Sequence, residues 1–576
     1  MSYSAIIRGS GSTMDLPSRR GPRGSLYVTR ACDSCKRRKV KCDAGRPCAS
    51  CHASNIHCSY TIVPQKRGRV GRRRAVEPSS SSSSSSSPAA TQECNEATVS
   101  SVVESSERPT PAASSSHPSL AFTYSTSPRT TISFSAHDPI SDAERIRAGF
   151  IDHVAAQLMS GTVEDLVDRC IDLFMQFIFP NTPVCHEPTL RAGVALFQLK
   201  DSADATQHPI LARTFTLVTA LCALVLSVAP DSYIPQRATL ALEFLRASRA
   251  MLLTYVEHDL ERPDWTSLII RVWQSSATQN VTGRNGEAHH YYSEASMLAL
   301  HLRLYQEESV SWRTPLDAQL LRSNFWQLYL SDKSAAVLDD RCRLITEHVF
   351  EEDLTLLERG SPEVPLLDMT RKQCSPLLDS RFQEGHLLKR QIWRSGVSLV
   401  TAIGAIDDNS TADHVTGLYL DFTGLIDGFP LWLWNPNQYL DGEPGASVSE
   451  YHKMCFWAQR SSIILSFHTL KLVILRACID HDVPGVMGFD HNELSWHQRK
   501  LDISRDFLSE LQMVPFDCIK MQGEPTVRRL RNVGTVLLEI VHNTNNESMK
   551  TRAQSQLVQL LDVLAKLDSR ASDELR

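Results

Sequence analysis

Apolar residues recur every three or four positions over most of the chain after residue 140, the spacing of one face of an α-helix. The first series follows Ser141-Asp142-Ala143-Glu144, which has the spacing of a capping box. A second begins at Thr162 and is predicted to stop at Pro180, since proline ends a helix. The apolar faces comprise Ile146, Phe150, Ile151, Val154 and Leu158, then Leu166, Cys170, Leu173, Phe174, Phe177 and Ile178.

The same spacing continues to the C-terminal region, and it predicts a large set of further helices. Alternation typical of strands is scarce, and strands do not alternate with helices. We therefore expect an all-α body. The further helices are predicted near residues 209–229, 236–257, 288–304, 316–331, 383–404, 449–479, 495–512, 525–543 and 551–569.

The most apolar stretch runs from Phe215 to Ala229 and contains two threonines and a serine. A membrane-spanning helix needs about 20 predominantly apolar residues. At 15 residues this stretch is too short, so we expect a buried core helix and no membrane partner.

Residues 79–140 differ in composition from the body. Nine consecutive serines precede Pro88, and the rest is rich in Ser, Thr, Pro and Ala. Such a segment buries too little apolar surface to offset the entropy of ordering. We expect a disordered linker between an N-terminal head and the body.

The formal net charge of −5 conceals a strong asymmetry along the chain. Residues 1–76 contain 17 Lys and Arg against 3 Asp and Glu, whereas the remainder is acidic. A basic segment on an acidic body indicates an N-terminal nucleic-acid partner.

Six of the 15 cysteines lie in the basic segment with the spacing C-x2-C-x6-C-x5-C-x2-C-x6-C. The two halves repeat the same spacing, which favours a metal site. The alternative is a disulfide framework, but the other nine cysteines are scattered singly, a pattern that suits a reducing compartment. The six candidate ligands are Cys32, Cys35, Cys42, Cys48, Cys51 and Cys58.

Six thiolates satisfy two tetrahedral zinc ions only if two of them bridge both metals. About 27 residues cannot fold on apolar burial alone, so metal ligation has to supply the folding free energy. The neighbouring cations offset the formal charge of six thiolates around two Zn2+ and help to keep the cysteines deprotonated.

This segment resembles the zinc binuclear cluster of fungal transcription factors, from Ala31 to about Tyr60. The resemblance implies that Cys32 and Cys48 bridge the metals, and Pro47 matches the proline of the family's central loop. One zinc would take Cys32, Cys35, Cys42 and Cys48, and the other Cys48, Cys51, Cys58 and Cys32.

The resemblance also implies how the segment reads DNA. A short helix after the second cysteine enters the major groove at a CGG-type triplet. Arg38 and Lys39 match the two cations that contact bases, and Arg or Lys to guanine is the commonest specific contact. Phosphate contacts, which position without specifying, are expected from Lys36, Arg37, Lys41 and Arg46.

A second basic block spans residues 66–74 and contains six Lys and Arg. Such a block is typical of a nuclear import signal or of phosphate contacts. We expect nuclear localisation.

Two segments of the body resemble the fungal-specific helical regulatory domain. Residues 174–190 resemble its opening, and residues 322–333 resemble its central Arg-Phe-Trp helix, although the usual Gly-Arg-Pro after that helix is missing. The resemblance implies a regulatory body that in some members senses a metabolite or binds a partner. We expect the organisation 1–30 disordered, 31–60 zinc cluster, 61–78 basic linker, 79–140 disordered linker, 141–545 helical regulatory domain and 546–576 C-terminal helix.

These features together predict a zinc-dependent, sequence-specific DNA-binding transcription factor that regulates RNA polymerase II genes. Activation is favoured on the resemblance alone, with a secondary-metabolite cluster or a set of nutrient-use genes as targets. The expected partners are double-stranded DNA and coactivators, while homodimerisation and a small-molecule effector stay open. The alternatives are a repressor or scaffold, or an enzyme with a DNA tether; no nucleophile–base pair or cofactor loop supports the enzyme.

Overall fold

The computed structural model describes residues 32–38, 42–43, 47–54, 56–59, 139–198, 208–338, 344–345, 354–358, 362–406, 409–437 and 449–567. The chain divides into two units between Tyr124 and Ser125. The described residues of the first unit are called the cysteine head, and those of the second the helical body. Most of the predicted linker, 79–138, and the second basic block lie outside the described residues.

The cysteine head contains two short helices. Helix α1 spans Asp33–Arg38 and helix α2 spans Ala49–Ala53. Each begins directly after a cysteine of a C-x2-C pair, so that the second cysteine of each pair lies on the helix. Cys48 is the N-cap of α2, and its sulfur accepts a hydrogen bond from the backbone N–H of Cys51.

The described residues of the body form helices joined by turns and contain no strand, which confirms the all-α fold class. Its α-helices are α3 (Pro139–Gln157), α4 (Val163–Leu173), α5 (Glu187–Ala192), α6 (His208–Val228), α7 (Arg237–Glu261), α8 (Trp265–Thr282), α9 (Asn285–His301), α10 (Glu308–Ser311), α11 (Pro315–Leu338), α12 (Pro376–Ile403), α13 (Asn409–Gly424), α14 (Leu431–Trp434), α15 (Glu450–Asp480), α16 (Glu493–Met513), α17 (Phe516–Lys520), α18 (Glu524–Asn543) and α19 (Glu547–Leu567).

Helix starts in the first part of the body agree only partly with the sequence pattern. Thr162 caps α4 through a reciprocal capping box with Asp165, at the predicted position. Helix α3 instead begins at Pro139, so Ser141 lies inside the helix and the expected capping box there was wrong. After α4 the chain passes through a π-helical turn, Phe174–Ile178, and a 3-10 turn, Phe179–Asn181, before it leaves the helical path.

Two long helices, α8 and α13, had no counterpart among the predicted elements. Helix α8 is rich in β-branched and polar residues that have modest helix propensity. It forms because Asp264 caps its start, Gly283 ends it at a positive φ of 70°, and most of its residues are buried against α6, α7 and α9. Tertiary packing therefore outweighs local propensity in these segments.

The centre of the body is α15, a helix of 31 residues and about 46 Å in length. Its middle is buried on all sides by α12, α16, α18 and the π-helical turn. Two of the buried polar side chains along it make contacts with distant segments: Gln459 donates to the carbonyl of Pro180 at 2.7 Å, and Arg460 pairs with Glu510 at 2.7 Å. These contacts link α15 to segments far away in the chain.

Among the described residues, two helices are long and apolar enough to cross a membrane, within Pro209–Val228 and Glu450–Asp480. The expectation that the first stretch is too short was wrong, because the helix extends N-terminally beyond Phe215. Of the most apolar windows of these helices, 72% and 78% of the residues are buried inside the body. Their apolar residues pack against other helices, which is the arrangement of a core helix.

Candidate metal centre and nucleic-acid interface

The cysteine head gathers the six predicted cysteines into one cluster. Their sulfur atoms form two groups of four, and within each group all sulfurs lie within 4.8 Å of one another. The two groups share Cys32 and Cys48, so their members equal the two ligand sets that the family resemblance implies. The first group is Cys32, Cys35, Cys42 and Cys48; the second is Cys32, Cys48, Cys51 and Cys58.

The repeated spacing of the two halves produces repeated contacts. In the first half, the sulfur of Cys32 accepts from the N–H of Cys35 at 3.3 Å, and the N–H of Cys32 donates to the sulfur of Cys42 at 3.5 Å. In the second half, Cys48 makes the same two contacts with Cys51 and Cys58, at 3.4 Å each. The head is therefore an internally duplicated cage, with one shared sulfur from each half.

Contacts between the two ends of the segment close this cage. The N–H of Asp33 donates to the carbonyl of Ser59 at 2.8 Å, and the hydroxyl of Ser59 donates back to the Asp33 carboxylate at 3.1 Å. The Ser34 hydroxyl donates to the carbonyl of His57 at 2.7 Å. Asp33 and Ser34 are both buried. The spacing of the cysteines carries no signal for these residues, and sequence reasoning missed them.

The distances between sulfurs fit thiolates around zinc. Four sulfurs at about 2.3 Å from one zinc lie about 3.8 Å apart. The sulfur of Cys48 lies 3.7 Å from that of Cys32 and 3.5 Å from that of Cys35, while the Cys32 and Cys51 sulfurs are 3.5 Å apart. A disulfide requires about 2.05 Å, and all six cysteines are free.

The thiols of the cage do not ionise equally. At Cys32 burial raises the pKa, but hydrogen bonds from the Cys35 N–H and neighbouring thiols outweigh it and lower the pKa to about 6. At Cys51 burial and the adjacent sulfurs raise the pKa of the thiol well above its usual value. Six thiolates this close together need compensating positive charge, and the chemistry of this donor set fits two zinc ions.

Cations lie on the helix that leaves the cage. Lys36, Arg37 and Arg38 are exposed in the last turn of α1. The guanidinium of Arg38 donates to the hydroxyl of Ser54, at the end of α2, at 3.1 Å. A single exposed hydrogen bond of this kind is weak enough for a phosphate or a base edge to replace. The other predicted contacts, Lys39, Lys41 and Arg46, lie outside the described residues.

This cage and its cationic helix lie in a segment of the chain that matches a known domain. Residues 30–67 match the fungal Zn(2)-Cys(6) binuclear cluster domain. The cysteine head is therefore a zinc-binding segment, which agrees with its sulfur geometry, and it is called the zinc cluster head below.

Curated fungal proteins resemble this segment. The arabinolytic transcriptional activator araR of Emericella nidulans is 47% identical over 47 residues, which cover 8% of this chain and 6% of that protein. The sorbicillinoid biosynthetic cluster transcription factor sor3 of Hypocrea jecorina is 47% identical over 60 residues, covering 10% and 9%. The maltose fermentation regulatory protein MAL13 of Saccharomyces cerevisiae is 50% identical over 38 residues, covering 7% and 8%.

These matches cover a tenth of this chain or less. The matched segments span less than a tenth of the length of these relatives. What the helical body does is therefore argued from its own structure.

Proposed function

We propose that the protein is a zinc-dependent, sequence-specific DNA-binding transcription factor that regulates RNA polymerase II genes, and that it acts by binding and recruitment rather than by catalysis. The observation that carries this proposal is the pair of four-thiol groups sharing Cys32 and Cys48, next to the exposed cations of α1. A metal cage beside a cationic helix is the arrangement of a groove-reading module.

In this proposal all six cysteines are zinc ligands, and Cys32 and Cys48 bridge the two ions. The zinc ions supply the folding free energy of a segment that is too small to have an apolar core. Contacts between the two ends of this segment then hold α1 in a fixed orientation. The Asp33–Ser59 and Ser34–His57 contacts close the segment by joining its two ends.

The DNA contacts follow from this orientation. Arg38 and Lys39 read a CGG-type triplet from the major groove, while Lys36, Arg37, Lys41 and Arg46 contact phosphates. The basic block at 66–74 adds phosphate contacts or serves as a nuclear import signal, and the protein acts in the nucleus. Double-stranded DNA is the first partner; coactivators and a second copy of the chain are further partners of the proposed regulator.

The names of the relatives support a pathway-specific role. One is named as an arabinolytic activator and another as a factor of a biosynthetic cluster. We infer an activator of one pathway, for nutrient use or secondary metabolism. A reporter fusion of residues 141–576 to an unrelated DNA-binding head separates this from the alternative, since a repressor or scaffold would not raise expression.

Random-site selection with the full chain and zinc tests the DNA-binding proposal. We expect enrichment of CGG-type triplets at a defined spacing, and loss of enrichment when a chelator removes the zinc. Selection that enriches no sequence in the presence of zinc contradicts sequence-specific binding. Enrichment that persists after complete metal removal contradicts the zinc-built head.

Two lysine variants distinguish a base contact, which gives sequence specificity, from a phosphate contact, which does not. Lys39→Ala should weaken binding to the selected site by about 1–3 kcal/mol, with little change on random duplex, because it removes a base contact. Lys66→Ala should weaken binding to both duplexes and reduce the slope of affinity against salt by about 1, because it removes a phosphate contact. Titrations at several salt concentrations measure both effects. Equal losses on both duplexes for Lys39→Ala would remove its base-reading role.

A further inference from the structure

A cavity of about 260 Å³ lies within the helical body. Its walls come from α6, α8, α9, α11, α12, α15 and α18, so it is formed by segments that are distant in sequence. This volume is just below the roughly 300–1,000 Å³ typical of small-molecule sites. It is therefore large enough for a small metabolite.

One part of the cavity wall is apolar and aromatic. Phe177 lies on the π-helical turn, Trp273 on α8 and Trp393 on α12, and Leu224 and Ile269 add aliphatic surface. All five side chains are buried. This part of the wall suits the hydrocarbon portion of a ligand rather than a fully hydrated ion.

Three cationic side chains line the cavity, Lys389, Arg528 and Arg529, and two of them are deeply buried. Lys389 of α12 is 9% exposed and Arg529 of α18 is 5% exposed. Arg529 has two nitrogens, Nε and Nη1, that are buried without a hydrogen-bond partner. Neither side chain has an ion-pair or hydrogen-bond partner in the part of the chain that the structure describes.

Three other buried arginines of the body differ in this respect. Arg271 pairs with Asp259 at 2.7 Å, and Arg460 pairs with Glu510 at 2.7 Å. Arg322 pairs with Glu307 and with Glu363. The body thus supplies carboxylates to these three buried guanidinium groups. Among the described residues, none supplies a carboxylate to Lys389 or Arg529.

Leaving two cations buried without a counter-charge is unfavourable, because each loses hydration and they repel each other. The pKa values show this effect. Burial, with repulsion from Arg529, lowers the pKa of Lys389 to about 7, and burial lowers the pKa of Arg529 to about 10. An anion in the cavity would raise both pKa values and keep Lys389 fully charged at neutral pH.

We propose that this cavity binds a small organic carboxylate with an apolar body, its carboxylate held by Lys389 and Arg529 and its hydrocarbon portion against Trp273 and Trp393. Arg forms bidentate hydrogen bonds with a carboxylate, and Lys adds a point charge. The ligand joins α12 to α18, two helices that both pack on α15. The role of this ligand as an effector rests on the proposed function, but its binding to the cavity does not.

The test uses the full zinc-loaded chain in a buffer free of carboxylate and phosphate. Thermal unfolding is followed by far-UV circular dichroism with benzoate or phenylpropionate, and with the neutral amides of both acids. We expect the carboxylates to raise the unfolding midpoint by roughly 2–4 °C at concentrations well above Kd, and the amides to have no such effect. Inorganic phosphate controls for a general anion effect.

Two variants and a control connect this shift to the cavity. Lys389→Met and Arg529→Met should lose the carboxylate-dependent shift, and each should unfold at a higher temperature than the parent chain without ligand, because an unpaired buried charge is gone. Lys471→Met removes a half-buried lysine of α15 outside the cavity, and it should keep the full shift. Arg529→Gln serves if a methionine variant does not fold.

A parent chain that responds equally to carboxylates and amides overturns the proposal, as does a shift that survives in the cavity variants. An equal shift with inorganic phosphate overturns the assignment to a carboxylate with an apolar body. DNA binding is measured separately on the same samples. A chain that binds carboxylate but not DNA would refute the proposed function while leaving the cavity assignment intact.

Discussion

At the scale of single residues, Asp379 shows how the fold sets a protonation state. It lies in the first turn of α12 and is completely buried. One carboxylate oxygen accepts from the N–H of Leu366 at 2.7 Å, and the other has no partner. Burial raises the pKa of Asp379 to about 6, although the backbone hydrogen bonds lower it in part. At neutral pH the body therefore contains an incompletely compensated negative charge.

Asp379→Asn should stabilise the body at pH 7.5 by about 1–3 kcal/mol, because the amide keeps the acceptor and removes the charge. The folded state binds this proton more tightly than the unfolded chain does. The stabilisation that comes from binding this proton is therefore complete below about pH 4 and is lost as the pH rises through about 6. Thermal midpoints of both proteins between pH 4.5 and 7.5 measure the effect. A difference that does not shrink on acidification contradicts this account.

At the scale of elements, α12 and α15 approach closely through glycine. A Cβ on Gly385 would lie 2.2 Å from the side chain of Gln459, which is held by the carbonyls of Pro180 and Phe382. Gln459 cannot move away without losing both hydrogen bonds. The contact therefore requires glycine at position 385 for reasons of space, at the cost of lower helix propensity.

Gly385→Ala should destabilise the body by about 1–3 kcal/mol through overpacking. The matched control is Gly417→Ala in α13, where a Cβ meets no atom within 4 Å. That variant should gain about 0.5–1 kcal/mol, because alanine is the better helix former. Thermal unfolding of the two variants beside the parent chain measures both. Equal effects of the same sign would mean that packing at Gly385 does not decide the outcome.

At the scale of the whole molecule, the two units are stabilised in different ways. The zinc cluster head has cysteines as its only buried apolar side chains, whereas the body has a continuous core of aliphatic and aromatic residues. The free energy of the head comes from metal ligation and that of the body from apolar burial. A loss in one unit is therefore expected to leave the other folded.

Cys32→Ala should abolish zinc binding and sequence-specific DNA binding, because Cys32 belongs to both four-sulfur groups. The helical far-UV signal should stay nearly unchanged, since α1 and α2 are short and most helical residues lie in the body. Metal analysis, DNA titration and circular dichroism measure the three properties. The control Cys478→Ala removes a buried thiol of α15 and should keep both zinc and DNA binding. A Cys32→Ala chain that still binds its site would contradict the proposed metal role.

Only part of the candidate site could be predicted from the sequence. The six cysteines were predicted from their repeated spacing, which is typical of metal ligands. The grouping around Cys32 and Cys48 and the roles of the cations of α1 came from the family resemblance. The contacts of Asp33, Ser34 and Ser59 that close the cage were missed, because hydroxyl and carboxylate contacts have no periodic pattern in the sequence.

By itself the sequence determined the head, the all-α class and the approximate positions of helices such as α4, α15 and α18, because metal-ligand spacing and apolar periodicity are local properties. Only the tertiary structure decided that α8 and α13 are helices and that Gln459 occupies the space next to Gly385. It also decided that Lys389 and Arg529 face one cavity, with no carboxylate partner among the described residues. These features depend on contacts between segments distant in sequence or on packing that overrides propensity, and no local pattern encodes that information.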